Sequence, residues 1–421
     1  MLTMACSTPL RGATSGGGGT TSAGGGTAIG GRGGSAGAGG LQPVTINLSF
    51  GGMSASIGVT GAGGVIAFGG ASSSGGTVST GGVPTPTTEC TGGRCLVTLA
   101  AGREHIWPGI AVEGTSVYWT EHSGGIPNFP GTDDGRVMKV PSGGGPSTML
   151  ASRQDYPSYI RVDATSVYWT TLSMGIGGEL YMRGRASVMR AALDGSKAST
   201  VVFVDPAPDS DVFYGDIAVD ATSIYWAYLG TWRTDHYEDG AILRVSLVDG
   251  TSTTLASGQS GPYSIAVDAS SVYWVNDGAS RDDRQSSLMK VALEGGLVTT
   301  LDASPSGHSA IALDATNVYW TSPGGTVMTL PLEGGSPIML AAGQSSPMAI
   351  AVDTAAVYWA NQGDGTIMKV PLQGGTPTTL ASGQSNINAA IAVDATSVYW
   401  TSYGTADNSY QDGMVLKLTP K

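Results

Sequence analysis

The stretch Ile391-Ala-Val-Asp-Ala-Thr-Ser-Val-Tyr-Trp400 decides the fold, because its closing Tyr-Trp pair recurs along the chain. The seven copies of the pair are Tyr118-Trp119, Tyr168-Trp169, Tyr225-Trp226, Tyr273-Trp274, Tyr319-Trp320, Tyr358-Trp359 and Tyr399-Trp400. Successive tryptophans lie 50, 57, 48, 46, 39 and 41 residues apart. A repeat of roughly 40–50 residues is the period of one β-propeller blade. The spacing therefore predicts one blade for each copy.

Each copy contains four short segments that are typical of β-strands. They are rich in β-branched and aromatic residues, and Gly, Asp, Ser or Pro separate them. Representative segments, in their order within a copy, are Ile350–Asp353, Val318–Thr321, Ile367–Leu372 and Thr378–Ala381. Four short antiparallel strands make one propeller blade.

The two ends of the repeat region complement each other. The last copy stops after its third strand, Met414–Leu418, and the missing fourth strand stands before the first copy, at Cys95–Gly102. Pairing the two ends would close a ring and leave no long open sheet edge. We therefore predict an all-β fold over residues 95–421. It is a seven-bladed β-propeller of four-stranded antiparallel blades, closed by an N-terminal strand that pairs in the last blade.

The repeat resembles that of the YWTD β-propellers, the class B repeats of low-density-lipoprotein receptors. The resemblance lies in the Ile-Ala-Val-Asp strand, the Tyr-Trp-Thr strand and turns such as Leu193-Asp194-Gly195. It implies the propeller fold, in a protein of bacterial type, and not the receptor role. Those propellers normally have six blades, and their motif ends in Asp. Here the residues at that position are Glu121, Thr171, Tyr228, Asn276, Ser322, Asn361 and Ser402. Bacterial lyases acting on cyclic antibiotics and NHL-type propellers are more distantly similar.

Composition narrows the classes of partner. The chain has 421 residues, a formal net charge of −12 and a pI of about 4.6. Nucleic acids and anionic membrane surfaces attract clustered cations, so we expect no nucleic-acid partner. No run of about 18 apolar residues is present, so no helix is expected to span a membrane. We expect a monomer.

The N-terminal region differs from the repeats. Residues 7–89 are rich in Gly, Ser and Thr, which predicts a disordered tether. Within them, Val44–Phe50 alternates apolar and polar residues, so it either pairs as a strand or belongs to the linker. Residues 1–6 resemble the end of a bacterial lipoprotein signal, with Cys6 as the lipidated residue, or are an ordinary N-terminus. The first alternative predicts an extracytoplasmic protein, either an outer-membrane lipoprotein of the cell envelope or a secreted one. Membrane contact would then come only through the lipid.

Cys90 and Cys95 flank a short Thr-Gly-Gly-Arg segment. They either form a disulfide in an oxidising compartment or remain two free thiols. Because no histidine lies nearby, a zinc site is not expected.

The connections between strands predict one plain and one elaborated face. First-to-second and third-to-fourth turns are short, whereas second-to-third loops and blade-to-blade loops vary. In a propeller these two variable sets share a face, and loops on a rigid scaffold commonly carry binding residues. The four histidines and both tryptophans outside the repeat fall there: His105, His122, His236, His308, Trp107 and Trp232. The alternative is tolerated insertion.

One column of residues, three places before each first-strand isoleucine, is predicted to approach the channel mouth. Its members are Trp107, Pro157, Tyr214, Pro262, His308, Pro347 and Asn388. Trp107, Tyr214, His308 and Asn388, together with Trp232, are our candidates for ligand contact, because aromatic, imidazole and amide groups suit a sugar or a small amphipathic molecule. Arg161 replaces an alanine in a buried column, so it either pairs with an acid or reaches the ligand.

Signals for metals and catalysis are weak. No cofactor is expected; acidic loops such as Asp282-Asp283 could hold Ca²⁺, but they lack a ligand pattern. Glu104, His105 and His308 could form an acid–base group at the channel mouth. The third-strand cations Lys139, Arg190, Arg244, Lys290, Lys369 and Lys417 are predicted to pair with acids.

The leading hypothesis is a non-catalytic extracytoplasmic binding module that presents its loop-rich face to a protein or a glycan. The alternatives are a propeller lyase or hydrolase that uses the channel-mouth acid–base residues, and a purely structural envelope protein.

Overall fold

The computed structural model describes residues 44–50, 53–59, 87–122, 135–172, 185–204, 211–233, 236–277, 286–303, 307–405 and 410–421. The chain forms two units, Met1–Thr80 and Gly81–Lys421. In the first unit, strands β1 (Val44–Phe50) and β2 (Met53–Val59) form an antiparallel hairpin. Cys6 and most of the predicted tether lie outside the described residues, so the tether and the lipid anchor stay predictions.

The second unit is a seven-bladed β-propeller, as predicted. Its strands begin with β3 (Thr88–Thr91), β4 (Arg94–Arg103), β5 (Ile106–Glu113), β6 (Ser116–Glu121), β7 (Gly135–Pro141), β8 (Thr148–Gln154), β9 (Ile160–Val162), β10 (Ser166–Leu172), β11 (Ala186–Ala192), β12 (Ser199–Val204), β13 (Asp211–Val219), β14 (Ser223–Arg233), β15 (His236–Glu238), β16 (Gly240–Ser246) and β17 (Ser252–Gln259). They continue with β18 (Pro262–Val267), β19 (Ser271–Asn276), β20 (Ser287–Ala292), β21 (Thr299–Asp302), β22 (Ala310–Leu313), β23 (Asn317–Ser322), β24 (Thr326–Pro331), β25 (Ile338–Ala341), β26 (Pro347–Val352), β27 (Ala356–Asn361), β28 (Thr366–Pro371), β29 (Thr378–Ala381), β30 (Ile387–Val393), β31 (Val398–Ser402) and β32 (Gly413–Thr419).

Blades 1 to 6 each take their strands in chain order, beginning with β5, β9, β13, β18, β22 and β26; β15 is an addition to blade 3. Blade 7 has the order β3-β4-β32-β31-β30, with Thr98 opposite Leu416. The predicted ring closure is therefore confirmed. Blade 7 also contains an added strand, β3, which pairs with β4. The turn between them is made by Gly92 and Gly93, with φ of 60° and 81°. The blade therefore starts at Thr88, ahead of the predicted boundary at residue 95. The described residues include no helix long and apolar enough to cross a membrane.

The core lies between the blades rather than within them. Neighbouring residues of a strand face opposite sides of its sheet, so each Tyr packs towards the next blade and each Trp towards the preceding one. All fourteen are at most 2% exposed. The seven shared clusters contain the pairs Tyr118/Trp169, Tyr168/Trp226, Tyr225/Trp274, Tyr273/Trp320, Tyr319/Trp359, Tyr358/Trp400 and Tyr399/Trp119. The last pair joins blade 7 to blade 1 and completes the ring.

In blades 2 to 7 the Asp that follows the first strand has a structural role, whereas blade 1 has Glu113 at this position. In blade 2, Asp163 Oδ1 accepts the backbone N–H groups of Thr165 and Ser166, and Oδ2 accepts the Tyr168 hydroxyl at 2.9 Å. Burial alone would raise the pKa of Asp163, but these hydrogen bonds outweigh it and hold the pKa below its ordinary value. Burial and the same carboxylate raise the pKa of Tyr168 to about 12. The arrangement recurs at Asp220, Asp268, Asp314, Asp353 and Asp394.

The prediction that the third-strand cations pair with acids is largely wrong. Lys139 lies over the Tyr118 ring, 5.5 Å from its centroid, and donates to the carbonyl oxygen of Leu193 in the next blade. Corresponding contacts link Arg244 to Leu293, Lys290 to Leu332 and Lys417 to Ser142. The reason is geometric, because each cation stands opposite a tyrosine on the neighbouring strand and these four reach a carbonyl of the next blade. Arg244 also approaches Glu294, at 3.7 Å.

Candidate functional site

Six aromatic rings from three blades meet on the loop-rich face, and we call them the ring cluster: His105, Trp107, His122, Tyr156, Tyr403 and Tyr410. The ring centroids of His105 lie 4.9 Å from those of both His122 and Tyr410. His122 also approaches Trp107 at 5.5 Å and Tyr156 at 5.6 Å. Because His122 follows a second strand and its neighbours belong to blade-to-blade connections, the two variable sets of loops share a face, as predicted.

Three rings of the cluster stand on a strained backbone. His105, Tyr156 and Tyr410 have φ of 31°, 41° and 57°, in the left-handed region that side chains rarely adopt. The connection that leads into the first strand has a residue with positive φ in other blades too, but there it is Gly261, Gly307, Ser346 or Asn386. Non-glycine residues in this region cost about 1–3 kcal/mol and are concentrated at functional sites. His105 and Tyr156 are therefore exceptions to a position that otherwise holds small or polar residues.

A cavity of about 310 Å³ opens beside these rings, lined by His105, Ile106, Trp107, Pro108, Tyr403 and Tyr410. Trp107 is 38% exposed, whereas His122 is 5% exposed. Aromatic rings thus line the cavity, and Trp107 offers a face to solvent.

A buried ion pair supports the strands beneath the ring cluster. Glu121, next to His122 and 1% exposed, accepts Arg103 Nε at 2.9 Å and Nη2 at 2.7 Å. It also accepts the Trp119 indole N–H at 2.9 Å. Arg103 lies on β4 and Glu121 on β6, so the pair joins the closing blade to the first one.

A second cavity, of about 290 Å³, occupies the central channel and is lined by residues from all seven blades. The polar side of its wall carries Tyr159, Arg161, Asp216 and Tyr263. Arg161 Nη2 lies 2.6 Å from both carboxylate oxygens of Asp216, so Arg161 both pairs with an acid and faces the channel. Burial raises the pKa of Asp216, and Arg161 offsets only part of that shift.

His308 is not placed to contact a ligand at the channel mouth. Its side chain is 0% exposed, with Nδ1 at 2.8 Å from Ser286 Oγ and Nε2 at 3.0 Å from Asp302 Oδ2. The Tyr263 hydroxyl donates to its backbone carbonyl. Burial lowers the pKa of His308 although Asp302 opposes the shift. Ser286, His308 and Asp302 are the residue types of a hydrolytic triad. Because the imidazole of His308 is fully buried, the three residues instead join blades 4 and 5.

The proposed acid–base group is not assembled, because its members have different neighbours. Glu104 approaches Arg136 at 3.8 Å, His105 stacks on His122, and His308 is held by Ser286 and Asp302. Among the described residues no cluster of three or more His, Cys, Asp or Glu could hold a metal ion.

The remaining candidates are placed as follows. Tyr214, Trp232 and Asn388 lie on β13, β14 and β30, with side chains outside the described part of the chain. Cys90 and Cys95 face each other across β3 and β4 and form a disulfide with an S–S distance of 2.02 Å.

Sequence reasoning missed several residues of the ring cluster and of the channel cavity. They are Tyr156, Tyr403 and Tyr410 at the ring cluster and Tyr159, Asp216 and Tyr263 in the channel. A signal was available for Tyr159 and Asp216, since the corresponding residues of the other blades are Gly109, Ser264, Ala310, Ala349 and Ala390. The loop tyrosines carry no such signal, because their blades contribute loops of different length.

Comparison with known proteins identifies the fold class. No protein family and no curated protein matches the chain. Virginiamycin B lyase from Staphylococcus aureus superposes with a TM-score of 0.54 at 14% identity, over 77% of this chain and 98% of that one. Oligogalacturonate lyase from Vibrio parahaemolyticus gives 0.55 at 11% identity, over 80% and 97%. Oligogalacturonate lyase in complex with manganese gives 0.55 at 14% identity, over 80% and 96%. At these identities the similarity shows the fold alone, and the chain is a seven-bladed β-propeller protein.

Proposed function

We propose that this propeller is an extracytoplasmic binding module that holds a glycan at the ring cluster. The observation that carries the proposal is the cavity of about 310 Å³ walled by His105, Trp107, Tyr403 and Tyr410, with the Trp107 ring exposed. Aromatic side chains offer a flat apolar surface together with a polar edge. A sugar ring presents C–H groups on its faces and hydroxyls around its rim, so it matches both parts.

The strained backbone strengthens this interpretation. Ser346 and Asn386 occupy the corresponding position in other blades, which shows that the fold accepts small polar side chains there. Placing the rings of His105 and Tyr156 there has a cost that the fold does not require. Binding at the rings would explain why they are present.

Two features of the chain ahead of the first blade support an extracytoplasmic location. The Cys90–Cys95 disulfide belongs to oxidising compartments, and the Gly/Ser/Thr-rich composition ahead of the propeller is that of a tether to an anchoring surface. We propose a lipid on Cys6 as that anchor, in a monomeric bacterial envelope protein. Mass spectrometry of the mature N-terminus tests this, since an unmodified residue at position 6 would exclude the lipid.

Glycan binding is tested with an array of oligosaccharides and calorimetry on the best binder. Trp107→Ala should weaken binding about tenfold or more, the loss expected for removing one well-packed aromatic contact. Its melting temperature should change little because Trp107 is partly exposed. Phe203→Ala, at a ring that is 49% exposed on β12, is the matched control and should bind normally. Undiminished binding by the Trp107 variant, or capture of proteins only, would overturn the proposal.

The second candidate function is that of a lyase or hydrolase. It is favoured by the stacked imidazoles of His105 and His122 beside the cavity, and some similar folds belong to lyases of streptogramin B and of oligogalacturonate. His105→Asn separates the two functions, because Asn386 occupies the same left-handed position in blade 7. Native turnover of a saccharide that disappears in this variant while the saccharide still binds would establish the enzyme, whereas binding without turnover by the native protein supports the module.

A further inference from the structure

The central channel departs from the seven-fold repeat at a single place. After the first-strand isoleucine, six blades have alanine and blade 2 has Arg161. Before the isoleucine, most blades have glycine, serine or alanine, but blade 2 has Tyr159 and blade 3 has Asp216. Tyr263 of blade 4 lines the same cavity. Because small residues satisfy the other blades, the fold itself does not demand this polar group.

A contribution to stability does not account for the Arg161–Asp216 ion pair. Asp216 is 7% exposed at its side chain, and replacing buried ion pairs by apolar residues is often neutral or stabilising. Asp216 Oδ1 also accepts the backbone N–H of Ile217 at 2.8 Å. These contacts hold the carboxylate, which in turn orients the guanidinium of Arg161.

Arg161 retains N–H donors that a ligand could use. Its side chain is 37% exposed, in the wall of the cavity. Nη1 donates to the Ile160 carbonyl at 2.9 Å, and Nη2 serves Asp216. A guanidinium has five N–H donors, so two have no protein partner in the part of the chain that the structure describes. Ser309 lines the same cavity, and its buried hydroxyl likewise lacks a partner among the described residues.

Apart from Ser309, the opposite wall of the cavity is apolar. It consists of side chains from blades 5, 6 and 7, among them Ile311, Met348, Ile350 and Ile391. A mostly apolar cavity with a few fixed polar groups is the usual form of a small-molecule site, and about 290 Å³ lies at the small end of the range.

We propose that the channel binds a small organic acid, with its carboxylate on Arg161 and its hydrocarbon part against the apolar wall. Arg161 offers charge-assisted N–H donors in a fixed orientation, which carboxylates match. Pro108 lines both this cavity and the one at the ring cluster, but the proposal does not depend on the proposed glycan.

Calorimetric titration of the full chain with hexanoate and with phenylacetate tests the site. Each acid should bind, whereas hexanamide and inorganic phosphate should have affinities at least about tenfold lower. Hexanamide lacks the negative charge, and phosphate lacks the apolar part. Failure of both acids to bind, or equal binding of hexanoate and hexanamide, would overturn the proposal.

The matched variant is Arg161→Ala/Asp216→Ala. It gives blades 2 and 3 the alanines that other blades already have, and it avoids leaving Asp216 buried without its partner. Circular dichroism should show a folded propeller, and the affinity for hexanoate should fall about tenfold or more. Arg161→Lys keeps the charge with fewer donors and should give an intermediate affinity. Trp107→Ala should leave hexanoate binding unchanged; a folded double variant with native affinity would refute the site.

Discussion

Replacing Glu121 with alanine should weaken the joint between the last blade and the first. The change removes the acceptor of three hydrogen bonds, two from Arg103 and one from Trp119, at 2.7–2.9 Å. It leaves the guanidinium of Arg103, 21% exposed at its side chain, without its buried partner. Removing one member of a buried pair costs about 3–5 kcal/mol. Because Arg103 keeps some contact with water, we expect the lower end, about 3 kcal/mol.

Urea unfolding followed by tryptophan fluorescence measures this loss. The matched control is Asn361→Ala, at the same position of blade 6, where the Asn361 amide donates to Gln344 at 3.1 Å and to Thr366 at 3.0 Å. These bonds are uncharged, so their removal should cost about 1 kcal/mol. Glu121→Gln keeps the shape without the charge and should fall between the two variants.

A second control separates a broken pair from a lost contact. Arg103→Leu/Glu121→Leu removes both charges of the pair. Arg136, 3.6 Å from Glu121, is 36% exposed and keeps Glu104 at 3.8 Å, so the double variant should recover much of the stability that Glu121→Ala loses. Trp119 would then resemble Trp226 and Trp400, whose indole nitrogens have no hydrogen-bond partner within the described residues. A loss for Glu121→Ala no larger than that for Asn361→Ala would refute the view that this ion pair holds the joint.

Three further predictions concern pH. The six Asp residues that accept tyrosine hydroxyls, including Asp314, have folded-state pKa values below the ordinary 3.8, so their stabilisation is complete above about pH 4 and is lost on further acidification; Asp314→Asn should reduce the acid sensitivity measured by thermal unfolding. The pKa of Tyr168 and of Tyr225 is raised to about 12 from 10.0, so stability should decline as pH rises through that interval, followed by tyrosinate absorbance. Burial lowers the pKa of His308 from 6.5, so the unfolded chain takes up the proton first and stability falls as pH drops below that value. The double variant His308→Pro/Asp302→Ala has the residues that blades 6 and 5 carry at Pro347 and Ala341, and it should flatten this pH dependence. A melting temperature that falls as much with pH in the variant as in the native protein would contradict the prediction.

The fold was predictable because every blade makes the same demand on the sequence. Each Tyr-Trp pair serves two interblade clusters, so the requirement returns with every copy and leaves a visible period. The closing strand was predictable for a related reason, since a missing fourth segment at one end of the repeat reappears at the other.

The candidate site could be predicted only in part, because it consists of exceptions to the repeat. Trp107 lies on the loop-rich face as predicted, and Arg161 was noticed because it breaks an alanine column. The placement of His308 could not be read from its column, because its partners Asp302 and Ser286 come from other strands and draw the imidazole inwards. Tyr410 approaches His105, and Tyr403 approaches Tyr410, where blade 7 meets blade 1; the distance along the sequence hides this proximity.

The pairing of β4 with β32 has a consequence for synthesis on the ribosome. Leu96 emerges early, yet its partner Leu418 is made more than three hundred residues later. During that interval the edge of β4 that pairs with β32 has no partner, and Trp119 of blade 1 lacks its packing neighbour Tyr399. Contacts of such long sequence separation form slowly. A holding chaperone that shields the early segment would therefore raise the yield of native protein.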